Sequence, residues 1–198
     1  LKDFDVVNDD KGLDYFIPEK DNVDIAILPE QFKNGYIAFV IGAIHNTKKL
    51  TINKAIELCS KIKLPIVLIG GKADVETGEA IIAGSNSTLF NACGKFNLNQ
   101  SASLIKQSQK VVAHDTGMMH IAAALKKEII SVWGNTIPEF GMYPYYGANL
   151  TLENQKLTNH LLEVKGLKCR PCSKIGFDSC PKGHFNCIEQ LDLSRFEA

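Results

Sequence analysis

The residues in this chain best suited to chemistry stand together at Asp115-Thr116-Gly117-Met118-Met119-His120. An apolar run, Val111 to Ala113, leads into them and reads as the end of a buried strand; the alanine-rich stretch that follows reads as a helix. Asp115 or Thr116 is a natural N-cap, and Gly117 lets a ligand approach the backbone. A strand that hands such a turn to a helix start leaves free N–H groups and the positive end of the helix dipole pointing outward. That arrangement suits phosphate. His120 falls one helical turn after Thr116, on the same side. Met118, Ile121, Ala122 and Leu125 recur at helical spacing and predict the face turned to the core.

Other turns carry similar residues. Thr47 and Lys48 lie between a predicted strand (36–41) and a predicted helix (51–62). A lysine there is either a flexible point charge for a phosphate or one of a solvated pair. Asp74 follows Gly70-Gly71 and enters the next helix, so it either accepts hydrogen bonds from ribose hydroxyls or serves as an N-cap. Phe96 can stack on a flat ring or fill a loop, and Thr136 follows the last strand. His45 has no assigned role and is expected to be exposed.

These turns must be positioned by regular elements. Short apolar runs at 36–41, 65–69, 88–92, 110–113 and 129–133 alternate with helical patterns at 51–62, 74–83 and 98–108 and after Gly117. Such alternation predicts an α/β fold, a doubly wound, Rossmann-like parallel sheet with helices on both faces. Ligands of these sheets bind beyond the carboxyl ends of the strands, where all the turns above fall. We divide the chain into an approach segment (1–34, with one strand candidate at 23–28), a nucleotide-binding domain (35–165), and a cysteine-rich tail with a C-terminal helix packing on that domain (166–198).

Composition narrows the function. The 22 basic and 22 acidic residues cancel and form no basic tract, which argues against nucleic acid. No apolar run approaches the ~20 residues that span a bilayer, and Leu1-Lys2-Asp3-Phe4-Asp5 is no signal peptide. Without an initiator methionine, the chain is expected to start inside a longer, cytoplasmic protein.

The run Asp115-Thr116-Gly117-x-x-His120 with Ala122-Ala123-Ala124-Leu125, followed by Val132-Trp133-Gly134-x-Thr136-x-Pro138, resembles the donor-binding half of the heptosyltransferases of glycosyltransferase family 9. Asn135 stands where that family usually carries proline. The resemblance covers about residues 36–190. It implies the C-terminal half of a GT-B, inverting bacterial glycosyltransferase that needs no cofactor and takes an ADP-sugar such as ADP-heptose as donor. The implied acceptor is a lipopolysaccharide core, bound through a missing N-terminal domain that also supplies the catalytic base, with peripheral contact at the inner membrane. No catalytic residue is expected in this segment. Lys48, Lys49 and Leu50 match the family's diphosphate turn. The implied donor-binding set is Thr47, Lys48, Asp74, Phe96, Asp115, Thr116, Gly117, Met118, His120 and Thr136. Asp115 is the hardest to assign, since an acid beside a phosphate turn should hold the turn or bind hydroxyls. The alternative is a non-catalytic Rossmann- or flavodoxin-like nucleotide-binding or regulatory module.

Cys59 and Cys93 read as inert core residues. Cys169, Cys172, Cys180 and Cys187, with His184 among them, admit a structural zinc, reduced thiols or disulfides, and the spacing alone does not choose. The tail carries no donor motif and is expected to be separable from the donor site.

Overall fold

The computed structural model describes residues 4, 6–7, 9–147 and 160–194. Six parallel strands form one sheet: β1 (Ile37–Val40), β2 (Ile66–Ile69), β3 (Leu89–Asn91), β4 (Lys110–His114), β5 (Ile129–Trp133) and β6 (His160–Glu163), in the order β3-β2-β1-β4-β5-β6. The helices are α1 (Ile52–Ser60), α2 (Val75–Gly84), α3 (Leu98–Gln107), α4 (Gly117–Ala124) and the short α5 (Asn186–Glu189). The predicted doubly wound fold is the one observed. β6 went unread in the sequence because only Leu161 and Leu162 are apolar and both flanks are polar.

Central strands of such a sheet are covered on both faces, so they need apolar residues at every position. All four side chains of β1 and of β2 are buried. Ile37, Phe39, Ile66, Leu68, Val112 and Val132 face one layer, where Leu58 of α1, Ile81 of α2 and Ile188 of α5 meet them. Ala38, Val40, Val67, Val111, Ala113 and Trp133 face the other, against Leu104 of α3 and Met119 and Ala122 of α4. Each large side chain fully removed from water contributes about 2 kcal/mol.

Local signals start the helices where expected. Thr51 accepts the Lys54 N–H at the head of α1. Asn97 and Gln100 exchange side-chain and backbone bonds of 2.8 and 2.9 Å at the head of α3. In α4 the inward face is Met119, Ala122 and Ala123, one position out of phase with the predicted one; Met118, Ile121 and Leu125 are only partly buried. Nearly all of α4 is apolar, so periodicity could not set its phase.

The approach segment packs on the domain. Leu28 and Phe32 are buried, and Asp21 accepts hydrogen bonds from Asn97 and Asn99. The strand candidate at 23–28 is instead a turn of 3-10 helix, Ile25–Ile27, capped by Asp24. Its neighbour is a helix rather than a sheet edge. Val23 donates to Ser103 Oγ, and Gln107 Nε2 donates to Val23 O, so ladder pairing has no partner there.

The segment after β6 is tied in by Arg170. Its guanidinium donates to Gly134 O (2.7 Å), Thr136 O (2.8 Å) and Val164 O (3.3 Å) and pairs with Glu163 at 2.8 Å, both side chains being 6% exposed. Replacing Arg170 by Met takes the donor from three carbonyls and leaves the buried Glu163 carboxylate only the exposed Lys165, at 3.6 Å. It should cost about 3–5 kcal/mol, read as a fall in the midpoint of urea unfolding; a loss under 1 kcal/mol would show that the clamp carries little weight.

Candidate functional site

In the order β3-β2-β1-β4-β5-β6 the connections leave β1 and β4 in opposite directions, which opens a crevice past their carboxyl ends. The turn after β1 (residues 42–50) and the turn after β4 (residues 115–117) form its walls. His114 joins them. It is 1% exposed, packs against Phe39, and accepts the Leu50 N–H at Nε2 (2.9 Å). Burial first, then the nearby Lys49 charge, pushes its pKa down to about 4, so the ring is neutral and serves as an acceptor.

Lys48 and Asp115 face one another across the crevice, Nζ to Oδ2 at 2.7 Å, and Thr136 Oγ1 donates to the same carboxylate oxygen at 2.9 Å. At an effective dielectric near 20 the attraction is about 6 kcal/mol, and desolvating two ions costs a similar amount. The pair therefore adds little stability and mainly sets position. It also accounts for an acid beside an anion turn: Asp115 neutralises and aims a lysine. A second pair, Lys49 Nζ to Asp74 Oδ1 at 3.0 Å, lies toward β2, and Asp74 Oδ2 accepts the Gly71 N–H at 2.9 Å. A Cβ on Gly42 would stand 2.6 Å from that Oδ2, so the glycine makes room for the carboxylate.

At the head of α4, Thr116 occupies the N-cap position without a side-chain cap bond; its carbonyl takes the Met119 N–H at 3.0 Å, leaving the N–H groups of Gly117 and Met118 without a helical partner. Gly117 is exposed, and a Cβ built on it would meet nothing within 4 Å. His120 is half-buried; burial lowers its pKa, Asp115 partly offsets this, and Lys48 adds to the lowering.

Two cavities adjoin here and share Ile44 and Thr116. The smaller, about 210 Å³, is lined by His45, Lys48, Asp115, Gly117, His120 and Ile175. The larger, about 400 Å³, includes Gly42, Gly70, Asp74, Phe96, Ser101 and Met118. One holds the Lys48–Asp115 pair and is edged by a helix start; the other is mostly apolar with a carboxylate at its edge.

Of the ten residues singled out from sequence, Lys48, Asp115, Thr116, Gly117 and His120 line the small cavity. Asp74, Phe96, Met118 and again Thr116 line the large one. Thr47 and Thr136 are buried behind the walls, their hydroxyls engaged by Phe177 and Asp115. His45, expected to be exposed, is half-buried, and its Nδ1 is buried with no hydrogen-bond partner. Ile44 and Ile175 were missed: a lone isoleucine in a polar loop gives no signal.

Ile175 belongs to the cysteine-rich segment, which therefore reaches the crevice and is not separable from it as expected. Cys59 and Cys93 are buried, with thiols pushed up to about 12, chiefly by burial. All six cysteines are free. Burial and the neighbouring Cys172 and Cys180 raise Cys187 to about 11. Burial acts the same way on Cys180, but the N–H groups of residues 182–185 outweigh it and lower that thiol. Among the described residues no three His, Cys, Asp or Glu side chains are grouped to hold a metal ion. No described helix is long and apolar enough to cross a membrane.

The family described as glycosyltransferase family 9 (heptosyltransferase) matches residues 13–164. Lipopolysaccharide heptosyltransferase 2 of Salmonella typhimurium is 35% identical over 79 residues, 38% of this chain and 23% of that protein. Lipooligosaccharide heptosyltransferase 2 of Haemophilus influenzae is 37% identical over 79 residues, with the same shares. The structure of the Escherichia coli ADP-heptose heptosyltransferase II superposes with a TM-score of 0.60 at 22% identity, over 89% of this chain and 52% of that one. The chain thus spans about a quarter of these curated relatives and about half of that structure.

His114 gives the site a pH signature. Its pKa of about 4 in the fold lies below the ordinary 6.5, so the stabilisation is complete above pH 6.5 and is lost as pH falls toward 4. The full loss is about 3 kcal/mol, and His120 adds in the same direction. Urea unfolding between pH 4 and 7 should show this slope, and His114→Gln should flatten most of it; an unchanged slope would mean His114 does not titrate as its burial requires.

Proposed function

The chain belongs to glycosyltransferase family 9, and from that premise we propose that it is the donor-binding half of an inverting GT-B glycosyltransferase. Its donor is ADP-heptose or a related ADP-sugar, its acceptor a lipopolysaccharide core, and a cytoplasmic site at the inner face of the membrane belongs to the same proposal. The family match does not favour a non-catalytic module. The observation that carries the reading is the pair of adjoining cavities, one with Lys48, His120 and an open helix start, the other with Phe96 and Asp74.

In this reading the diphosphate sits on the N–H groups at the head of α4, with Lys48 and His120 donating to its oxygens. Charge builds on that group as the sugar–oxygen bond breaks, and fixed donors in a partly dry pocket stabilise it. Lys48 is held ready by Asp115 and has only to turn its ammonium from carboxylate to phosphate. Phe96 and Met118 pack on the adenine, and Asp74 is within the ribose end. The donor is a substrate and no further cofactor is required. The base that takes the acceptor's proton is assigned to a facing N-terminal domain.

Calorimetric titration with ADP, UDP and GDP tests the donor. ADP should bind most tightly, and equal or absent binding of all three sinks the adenine assignment. His120→Ala should weaken ADP by roughly 1–3 kcal/mol with little change in Tm. Lys48→Ala should lose a similar amount but also lower Tm, because Asp115 is left buried and unpaired. Adding Asp115→Asn should restore Tm and leave affinity low. Restored affinity in the double variant would show that Lys48 does not touch the diphosphate.

A further inference from the structure

We propose that the loop 173–177 of the cysteine-rich segment is a working part of the donor site, holding Lys48 in place through Thr47 and closing the phosphate cavity with Ile175. The proposal rests on the donor reading above and extends it to a segment that carries no donor motif.

Thr47 is 2% exposed and adjoins Lys48. Its hydroxyl donates to Phe177 O at 3.0 Å and accepts the Phe177 N–H at 2.8 Å, while its own N–H donates to Phe177 O at 3.1 Å. Its carbonyl accepts from Asn135 N at 3.2 Å. Thr47 is gripped on one side by the loop and on the other by the turn after β5. The loop is itself constrained: Ser173 Oγ accepts from Ile175 N (3.0 Å) and Gly176 N (2.8 Å), and Cys172 N donates to Asn135 O at 3.2 Å. Gly176 has φ +128, and a Cβ there would lie 2.6 Å from His45 Cβ, so the loop backbone is pressed onto the turn that carries Lys48. A lysine is a long, flexible side chain. Fixing the backbone beside it places the root from which the ammonium reaches Asp115.

Ile175 is 65% exposed yet lines the cavity with Lys48, Gly117 and His120. A side chain so exposed contributes little to the core. At the rim of a phosphate site an aliphatic group excludes water and strengthens the charge interactions behind it. Thr47 is therefore a positioning residue and Ile175 a wall of the site.

The test compares ADP with adenosine, which lacks the phosphates, on the same 198-residue chain. Ile175→Asp, on an exposed side chain, leaves the fold intact and sets a carboxylate against the cavity. ADP affinity should fall at least tenfold while adenosine affinity stays within twofold. Thr47→Val, which loses both hydroxyl bonds, should also lower the ADP-to-adenosine affinity ratio several-fold, and Thr47→Ser should restore it. If wild type binds ADP and both Ile175→Asp and Thr47→Val leave that ratio unchanged, the loop is packing alone and the inference is overturned. If wild type binds ADP no better than adenosine, the phosphate cavity itself has been misread and both readings fall.

Discussion

Every strand of this sheet runs the same way, and the rest of the molecule follows from that. Parallel pairing puts Val40 beside Ile69 on one side and Ala113 on the other, so the chain leaves β1, β2 and β4 at one level and one edge. Each exit must turn before a helix returns it to the far edge, and all those turns crowd into a single rim. Two neighbouring turns then face each other without covering helices between them. A parallel sheet needs no special residue to make this crevice; it needs only residues that can tolerate it.

That tolerance is electrostatic. The rim holds Lys48, Lys49, Asp74 and Asp115 with little water, and the two acids meet the two lysines at 2.7 and 3.0 Å. In the empty site the charges cancel in place. On the proposed donor reading, an arriving diphosphate would replace a carboxylate as the partner of Lys48, so the lysine would not be desolvated alone. His114 makes the same contribution in neutral form: a ring kept uncharged by burial gives Leu50 an acceptor without adding a third cation.

The parts of this architecture legible in the sequence were those that local physics determines. β1, β2, β4 and β5 are short apolar runs because both their faces are covered, and the turns after them could be read from glycine, acid and cap residues. Five of the ten residues singled out meet in one small cavity for that reason. What escaped depends on contacts between distant segments. Thr47 looks like a phosphate ligand until Phe177, 130 positions away, is seen holding its hydroxyl. Arg170 looks like one base in a polar tail, yet it joins three carbonyls and a carboxylate around the ends of β5 and β6. The phase of α4 was misread for the opposite reason: where nearly every residue is apolar, pattern holds no information about which side faces in.

Gly117 shows where the protein has kept room for something other than itself. Its backbone is helical, and a methyl group there would touch nothing, so neither conformation nor packing calls for glycine. Alanine in a helix interior is favoured over glycine by about 1 kcal/mol, and by less at a first position. On the proposed donor reading, the chain forgoes that small gain where a side chain would stand between the helix start and the diphosphate. Stability and recognition therefore pull against each other at this residue, and a screen for heat-resistant variants would select the substitution that a screen for nucleotide capture rejects.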